Sequence, residues 1–178
     1  MIKIKSRKEY FELSTARRRI ILIFMLGVFV ILFAQAVKLA AFEKETNSVE
    51  ITETDLIKEG FGKNAIFTCF VAEVNNLIVG MALVYDRFST WKGRSIHLED
   101  LVVNADLRGK GIGKALYAEV IQYAVNRNVK RLEWVVLDWN KNAIDFYESS
   151  GAKLLKDWHL VQMDENRMKK YLKKNNRF

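Results

Sequence analysis

The 178-residue chain has no proline, a single cysteine and only two histidines. Without proline or an internal repeat nothing marks a linker or a tandem array, so at this length one folded domain with a sizeable core is expected. The single cysteine, Cys69, excludes an internal disulfide and fits a reducing compartment. His97 and His159 are scattered and there is no Cys/His cluster, so no metal is implied. Also missing is a stretch in which basic and aromatic residues interleave, and nucleic acid is therefore not expected as a partner. The net charge of +8 instead sits at the ends: residues 1–19 hold seven Lys/Arg against two Asp/Glu and residues 166–178 hold six against none, which leaves 8 − 5 − 6 = −3 for the middle. Two basic ends on a mildly acidic body read as exposed tails.

Read in order, Met1–Lys5 suggests a short edge strand, and the polar stretch after it ends in Arg17-Arg18-Arg19. Ile20–Val37 then runs eighteen residues without a charge. That length is close to the ~20 residues that cross a bilayer, and its basic flank favours a cytoplasmic N-terminus. A membrane contact, a buried helix apolar on all sides and an altered N-terminus are all compatible with this composition. Thr52-Glu53-Thr54-Asp55 looks like a helix start, with a stop at Gly60-Phe61-Gly62. Ala65–Val74 and Leu77–Tyr85 are β-rich runs around the hairpin signal Asn75-Asn76, and Ser95–Val103 is the next strand. Gly111–Asn128 shows helical spacing, Arg131–Trp139 reads as a strand, and the helix between makes a crossover to a parallel neighbour. Asn140–Ser149 is a short helix stopping at Gly151, and Trp158–Met163 is a last strand before the basic tail. The fold class is α/β (mixed α+β), with an antiparallel front half and a parallel centre.

Leu98 to Leu116 joins a strand to a helix through Arg108-Gly109-Lys110-Gly111-Ile112-Gly113-Lys114. Glycines at alternate positions allow a ligand close to the backbone, and the helix start adds unpaired N–H groups and a positive dipole end. With Arg108, Lys110 and Lys114 around it, phosphate is the natural guest, while the run taken alone reads equally as a solvated turn before an amphipathic helix. The loop is neither a P-loop, because Ala115 follows Lys114 where Ser or Thr is needed, nor a dinucleotide fingerprint, because Lys114 stands where a third glycine is needed.

With the loop, crossover and next helix in place, the chain resembles the GNAT family of N-acetyltransferases. Arg108-Gly109-Lys110-Gly111-Ile112-Gly113 matches the family's (Arg/Gln)-x-x-Gly-x-(Gly/Ala) signature, and Asn140, Ala143 and Tyr147 match Asn-x-x-Ala-x-x-x-Tyr. Ser89-Thr90-Trp91-Lys92-Gly93-Arg94, Leu98-Glu99-Asp100-Leu101 and Val136-Leu137-Asp138-Trp139-Asn140 look like the diamine (spermidine/spermine) branch, and the Ser-Thr-Trp-Lys-Gly run looks more like its thialysine members. The resemblance covers roughly residues 39–165, including Leu39-Ala40-Ala41-Phe42-Glu43-Lys44. Residues 1–38 form an atypical basic and apolar segment before it, and 166–178 a basic tail after it.

The resemblance implies a central mixed sheet whose parallel strands, 98–104 and 131–139, splay to admit acetyl-CoA, with flanking helices. It places the pyrophosphate on Arg108, Gly109, Lys110, Gly111, Ile112, Gly113 and Lys114. Leu101, Val102 and Val103 follow the pantetheine arm, and Asn140, Ala143 and Tyr147 complete the cofactor side. Transfer is then direct from thioester to amine. An ammonium with pKa about 10.4 must lose its proton first, which at pH 7 costs about 4.6 kcal/mol. The resemblance makes Glu99 the amine binder and base through water. A phenol of pKa about 10 suits protonation of a leaving thiolate, and Tyr147 is the general acid the resemblance implies. Backbone N–H groups near Leu101 and Val103 should polarise the thioester oxygen. Phe42, Glu43, Trp91, Asp100 and Trp158 resemble amine-pocket positions, and aromatic faces with carboxylates suit a cation.

Ser89 departs from the polyamine-preferring pattern, which has an acid there, and so favours a shorter amine. The expectation is an acetyl-CoA-dependent N-acetyltransferase for a small primary amine, cytoplasmic and homodimeric. The alternatives are a protein or peptide N-acetyltransferase, marked by an open acidic acceptor groove, and a non-catalytic acyl-CoA sensor tethered through Ile20–Val37, marked by binding without turnover.

Overall fold

Asn75 and Asn76 take left-handed φ values of 51° and 62°, the conformation that a two-residue turn matching the twist of its flanking strands requires. They join β2 (Phe67–Val74) to β3 (Leu77–Ser89). A second tight connection, Thr90-Trp91-Lys92, joins β3 to β4 (Gly93–Val103). The computed structural model describes residues 2–6, 49–61 and 63–175. These fall into two compact units, one up to Val135 and one from Val136 onward.

In the first unit a five-stranded sheet has the order β1-β2-β3-β4-β5, with β1 Lys3–Ser6 at one edge and β5 Leu132–Glu133 at the other. The pairs β1–β2, β2–β3 and β3–β4 are antiparallel, while β4 and β5 run parallel across the crossover helix α2 (Ile112–Asn126). Helix α1 (Glu53–Phe61) lies earlier in the chain, and a single 3-10 turn at Ala105–Leu107 separates β4 from the glycine loop.

The sheet has a helix on each face. Phe70, Ala82, Val84, Ile96 and Leu98 share one face by register and burial, and Ile112, Leu116, Val120 and Ala124 of α2 are buried with them. Cys69, Val71, Met81 and Val102 share the other, under Leu56, Ile57 and Phe61 of α1. Thr52 and Asp55 cap α1 reciprocally: the Asp55 N–H donates to Thr52 Oγ1 at 3.2 Å and the Thr52 N–H donates to Asp55 Oδ2 at 2.9 Å. The Thr52 hydroxyl also donates to Asp55 Oδ2 at 2.7 Å, and that bond first, with the Thr52 N–H bond beside it, holds the Asp55 carboxyl below its usual range. Gly80 is a packing requirement, since a Cβ there would stand 2.7 Å from the Val102 carbonyl oxygen and 3.2 Å from Leu116 Cδ1.

In the second unit, α3 (Lys141–Ser149) and α4 (Glu165–Lys174) are joined by irregular chain. Gly151 adopts φ 90° just past α3, the left-handed C-terminal stop.

Three expectations are corrected. The strand expected over 131–139 is in the sheet only at Leu132 and Glu133, paired with Ile96 and His97. Its apolar run favours extension, but the ladder ends just before β4 bulges at Glu99. Trp158–Met163 is irregular, because extension alone, without a ladder partner, gains no hydrogen bonds. The stretch read as a tail forms α4, capped by Asp164, which accepts from the Arg167 N–H at 2.8 Å, and braced by the Lys169–Glu165 ion pair at 2.5 Å. Phe42, Glu43 and Ile20–Val37 lie outside the described residues. Among the described residues no helix is long and apolar enough to cross a membrane.

Candidate active site

The register of β3 against β4 slips by one residue. Leu83 pairs with Asp100 and Val84 with Leu98, so Glu99 is an extra residue with no partner across the strand. A bulge of this kind re-aims side chains and changes the phase of the strand after it. Before the bulge, the Ile96 N–H points to β5, donating to the Arg131 carbonyl at 3.0 Å; after it, the Asn104 N–H points to β3, donating to the Val79 carbonyl at 2.9 Å. With alternation along a strand, Leu101 and Val103 therefore direct their N–H groups away from β3, toward the edge where the β5 ladder has ended.

The glycine loop follows directly. Arg108 donates from Nε to the Val103 carbonyl at 3.2 Å, tying the loop back to the end of β4. Gly109 and Gly111 adopt φ of 74° and 81°, and a Cβ on either would meet nothing within 4 Å, so the backbone lies open for close approach. Gly111 is the N-cap of α2, and its carbonyl accepts the first helical bond, from the Ala115 N–H at 3.0 Å. The N–H groups of Ile112, Gly113 and Lys114 are left for an acceptor. A Cβ on Gly113 would meet Val103 Cγ2 at 3.7 Å, ordinary contact, which is why the signature admits alanine there. Lys110 and Lys114 are exposed beside this helix end. Backbone donors, dipole and cations together fit a diphosphate.

Glu99 sits in a polar network that sequence reasoning missed. Its carboxylate accepts from the Tyr85 hydroxyl, and the Tyr85 phenol is pushed above its ordinary value by burial first and by Glu99 second. His97 Nε2 lies 3.6 Å from Glu99 Oε2, and the His97 ring stacks on Tyr85 with centroids 5.1 Å apart. His97 Nδ1 lies 3.2 Å from Arg87 Nη1, Arg87 pairs with Glu133 at 2.9 Å, and Arg131 holds the same carboxylate at 2.9 Å. Burial holds His97 below the usual histidine value, with the Arg87 charge acting the same way and Glu99 opposing it. The available signal was the polar alternation Ser95, His97, Glu99 inside an apolar strand.

Asp100 shares a sheet face with Cys69, whose thiol is pushed up to about 12 by burial and by the Asp100 charge. Leu101 and Val103 are half-buried and Val102 is buried. Trp91 is exposed in the β3–β4 turn, where the Trp91 and Lys92 N–H groups each donate to Ser89 Oγ at 3.2 Å. In the second unit, Asn140 is the N-cap of α3, its side chain accepting from the Ala143 N–H at 3.3 Å, so the spacing of that signature is also that of a helix cap. Tyr147 is half-buried one turn on, its ring 5.3 Å from Phe146 and its carbonyl accepting from Ser150 Oγ at 2.6 Å. Trp158 is exposed. Among the described residues no group of His, Cys, Asp and Glu is placed to hold a metal ion.

Residues 35–152 match the family model described as Acetyltransferase (GNAT) family. A thialysine N-epsilon-acetyltransferase of Bos taurus is 37% identical over 143 residues, spanning 74% of this chain and 84% of that protein. A spermidine/spermine N(1)-acetyltransferase-like protein of Homo sapiens is 33% identical over 141 residues, 74% of this chain and 20% of that protein. Among solved structures, an integron cassette protein of V. cholerae has TM-score 0.68 at 22% identity, covering 97% of this chain and 98% of that one. An aminoglycoside acetyltransferase from a soil metagenome, in complex with sisomicin, has TM-score 0.66 at 18% identity, covering 92% and 97%. At those identities the two structures speak to the fold alone.

Proposed function

The chain belongs to the GNAT acetyltransferase family, and on that footing we propose that it moves the acetyl group of acetyl-CoA directly onto a primary amine of a small molecule of the thialysine, diamine or polyamine class. The observation that carries this reading is the order of parts along one strand and its loop. A carboxylate stands on a bulge at Glu99, two N–H groups follow at Leu101 and Val103, and the cradle opens at Arg108. That is the order in which an amine, a thioester and a diphosphate need partners.

Glu99 binds the ammonium and takes its proton through water. The Leu101 and Val103 N–H groups stabilise charge on the thioester oxygen, worth about 2.7–4 kcal/mol per donor in comparable sites. Tyr147 returns a proton to the departing thiolate, and Asn140 and Ala143 fix the helix that carries it. The resemblance assigns the amine side to Trp91, Asp100 and Trp158, with Phe42 and Glu43. Ser89, engaged as the turn's acceptor, offers no second carboxylate to a distant ammonium, which favours a shorter amine over spermine. The enzyme works in the cytoplasm, where acetyl-CoA is available, as a homodimer. The exposed apolar side chains of Leu160, Val161 and Met163 support a partner surface.

The test is CoA release with thialysine, lysine, putrescine, spermidine and an acceptor peptide. Turnover on a short amine is expected, with kcat falling about 100-fold or more in Tyr147→Phe and in Glu99→Gln. Turnover confined to the peptide, or tight acetyl-CoA binding with no turnover, refutes the reading.

A further inference from the structure

His97 has no role in the reaction as described, yet it is buried at the one point where β3, β4 and β5 all bring charged or titratable side chains together. Arg87 and Tyr85 reach it from β3, Glu99 from β4 and Glu133 through Arg87 from β5, while Arg131 steadies Glu133. A guanidinium has only donors. With Arg87 Nη1 3.2 Å from Nδ1, that nitrogen must be the acceptor. A neutral ring so held carries its hydrogen on Nε2, the atom 3.6 Å from Glu99 Oε2.

From this geometry we infer that His97 is a positioning residue for the Glu99 carboxylate: Arg87 fixes its tautomer, and its Nε2–H, together with the Tyr85 hydroxyl, holds Glu99 in place for the amine. The inference rests on Glu99 being the amine-side carboxylate. At 3.6 Å the His97 contact is charge to dipole, and such contacts shorten when substrate fills a site. His97 is not itself a base here, since a second proton would have to go on Nδ1, directly against the Arg87 cation. The burial that keeps the ring neutral acts in the same direction. Glu133 matters because it holds the guanidinium in place, at 2.9 Å, between the two rings' side of β3 and the end of β5.

The first measurement is the tautomer of His97 in the full chain, read from long-range ¹H–¹⁵N ring correlations, with His159→Gln to assign the signals. A neutral ring protonated on Nε2 is expected at pH 7, with its titration moving upward in Arg87→Met. A ring protonated on Nδ1, or charged at pH 7, overturns the inference. The second is kinetic. His97→Gln keeps an N–H donor and stays within about threefold of the parent kcat. His97→Leu loses the donor and falls about tenfold, with KM for acetyl-CoA unchanged. Equal losses in both variants, or parent-like kcat in His97→Leu beside an inactive Glu99→Gln, refute the positioning role while leaving Glu99 its part. Parent-like kcat in Glu99→Gln removes Glu99 from the chemistry and the positioning role with it, whatever the tautomer.

Discussion

Two glycines on either side of one valine give opposite responses to the same added methyl group. Gly80 of β3 and Gly113 of α2 both face Val103 Cγ2, at 3.3 and 3.7 Å from where a Cβ would stand. Gly80→Ala also drives its methyl to 2.7 Å from the Val102 carbonyl oxygen and 3.2 Å from Leu116 Cδ1. Leu116 can turn, but the carbonyl belongs to a strand bonded into the sheet, so β4 itself must move by several tenths of an ångström. Overpacking of this kind costs typically about 1–3 kcal/mol. For a chain of this length each kcal/mol lowers Tm by about 2–4 °C, so a loss of about 4–8 °C is expected for a midrange cost. Gly113→Ala meets ordinary contact only and replaces glycine inside a helix, which gains up to about 1 kcal/mol. Thermal unfolding by circular dichroism, with urea midpoints beside it, reads both. Because the carbonyl that moves lies between the Leu101 and Val103 N–H groups, Gly80→Ala should also lower kcat, whereas Gly113→Ala keeps it. A Gly80→Ala protein with parent Tm, or a Gly113→Ala protein as damaged as Gly80→Ala, refutes this account of the β4–α2 junction.

Other consequences are measurable. Gly111→Ala forces a side chain into φ 81°, a strain of about 1–2 kcal/mol, and should raise KM for acetyl-CoA about five- to thirtyfold with little change in the amine KM. The Cys69 thiol, held up to about 12 by burial, keeps its proton in the folded protein while the unfolded chain loses it above pH 9. Its contribution is therefore complete below pH 9 and lost as pH rises toward 12, a loss absent from Cys69→Ala in urea titrations at pH 8 and 10.5. His97 is held below its usual value, so the unfolded chain binds the extra proton first. Stability should fall as pH drops below about 6.5, and His97→Gln should flatten that slope.

The readable parts of this sequence were those whose signals are local. The Asn75-Asn76 turn, the Thr52–Asp55 cap, the strand into Val103 and the glycine loop all lie where residue type and spacing place them. The helix at Glu165–Lys174 had a local signal too, Asp164 three residues ahead of the Arg167 N–H it caps, hidden by the weight of basic residues around it. What could not be read depends on partners. Arg131–Trp139 has strand composition throughout, yet how far it pairs is decided by β4. The bulge at Glu99 leaves no mark on β4 alone, since it exists only in the register with β3. Arg87, His97 and Glu133 are distant in sequence and meet only because the strand order β3-β4-β5 brings them abreast. The glycine loop lies at the start of its helix and Glu99 on a bulge, Tyr147 is placed on its helix by the Asn140 cap, and all three rest on the resemblance for their roles.

A strand is a message of period two, and Glu99 inserts one letter into it. Upstream, one set of alternate residues addresses the crossover strand; downstream, the complementary set does, as if the reading frame had changed between His97 and Leu101. Substitutions at position 99 therefore alter a word, whereas drawing residue 99 into a regular ladder would alter the frame, turning the Leu101 and Val103 N–H groups to β3 while every one of those residues keeps its identity. Length here is as informative as composition. A sequence one residue shorter between Leu98 and Leu101 would still spell the glycine loop and keep the same edge of β4 beside it, but it would lose the bulge and the carboxylate the bulge carries.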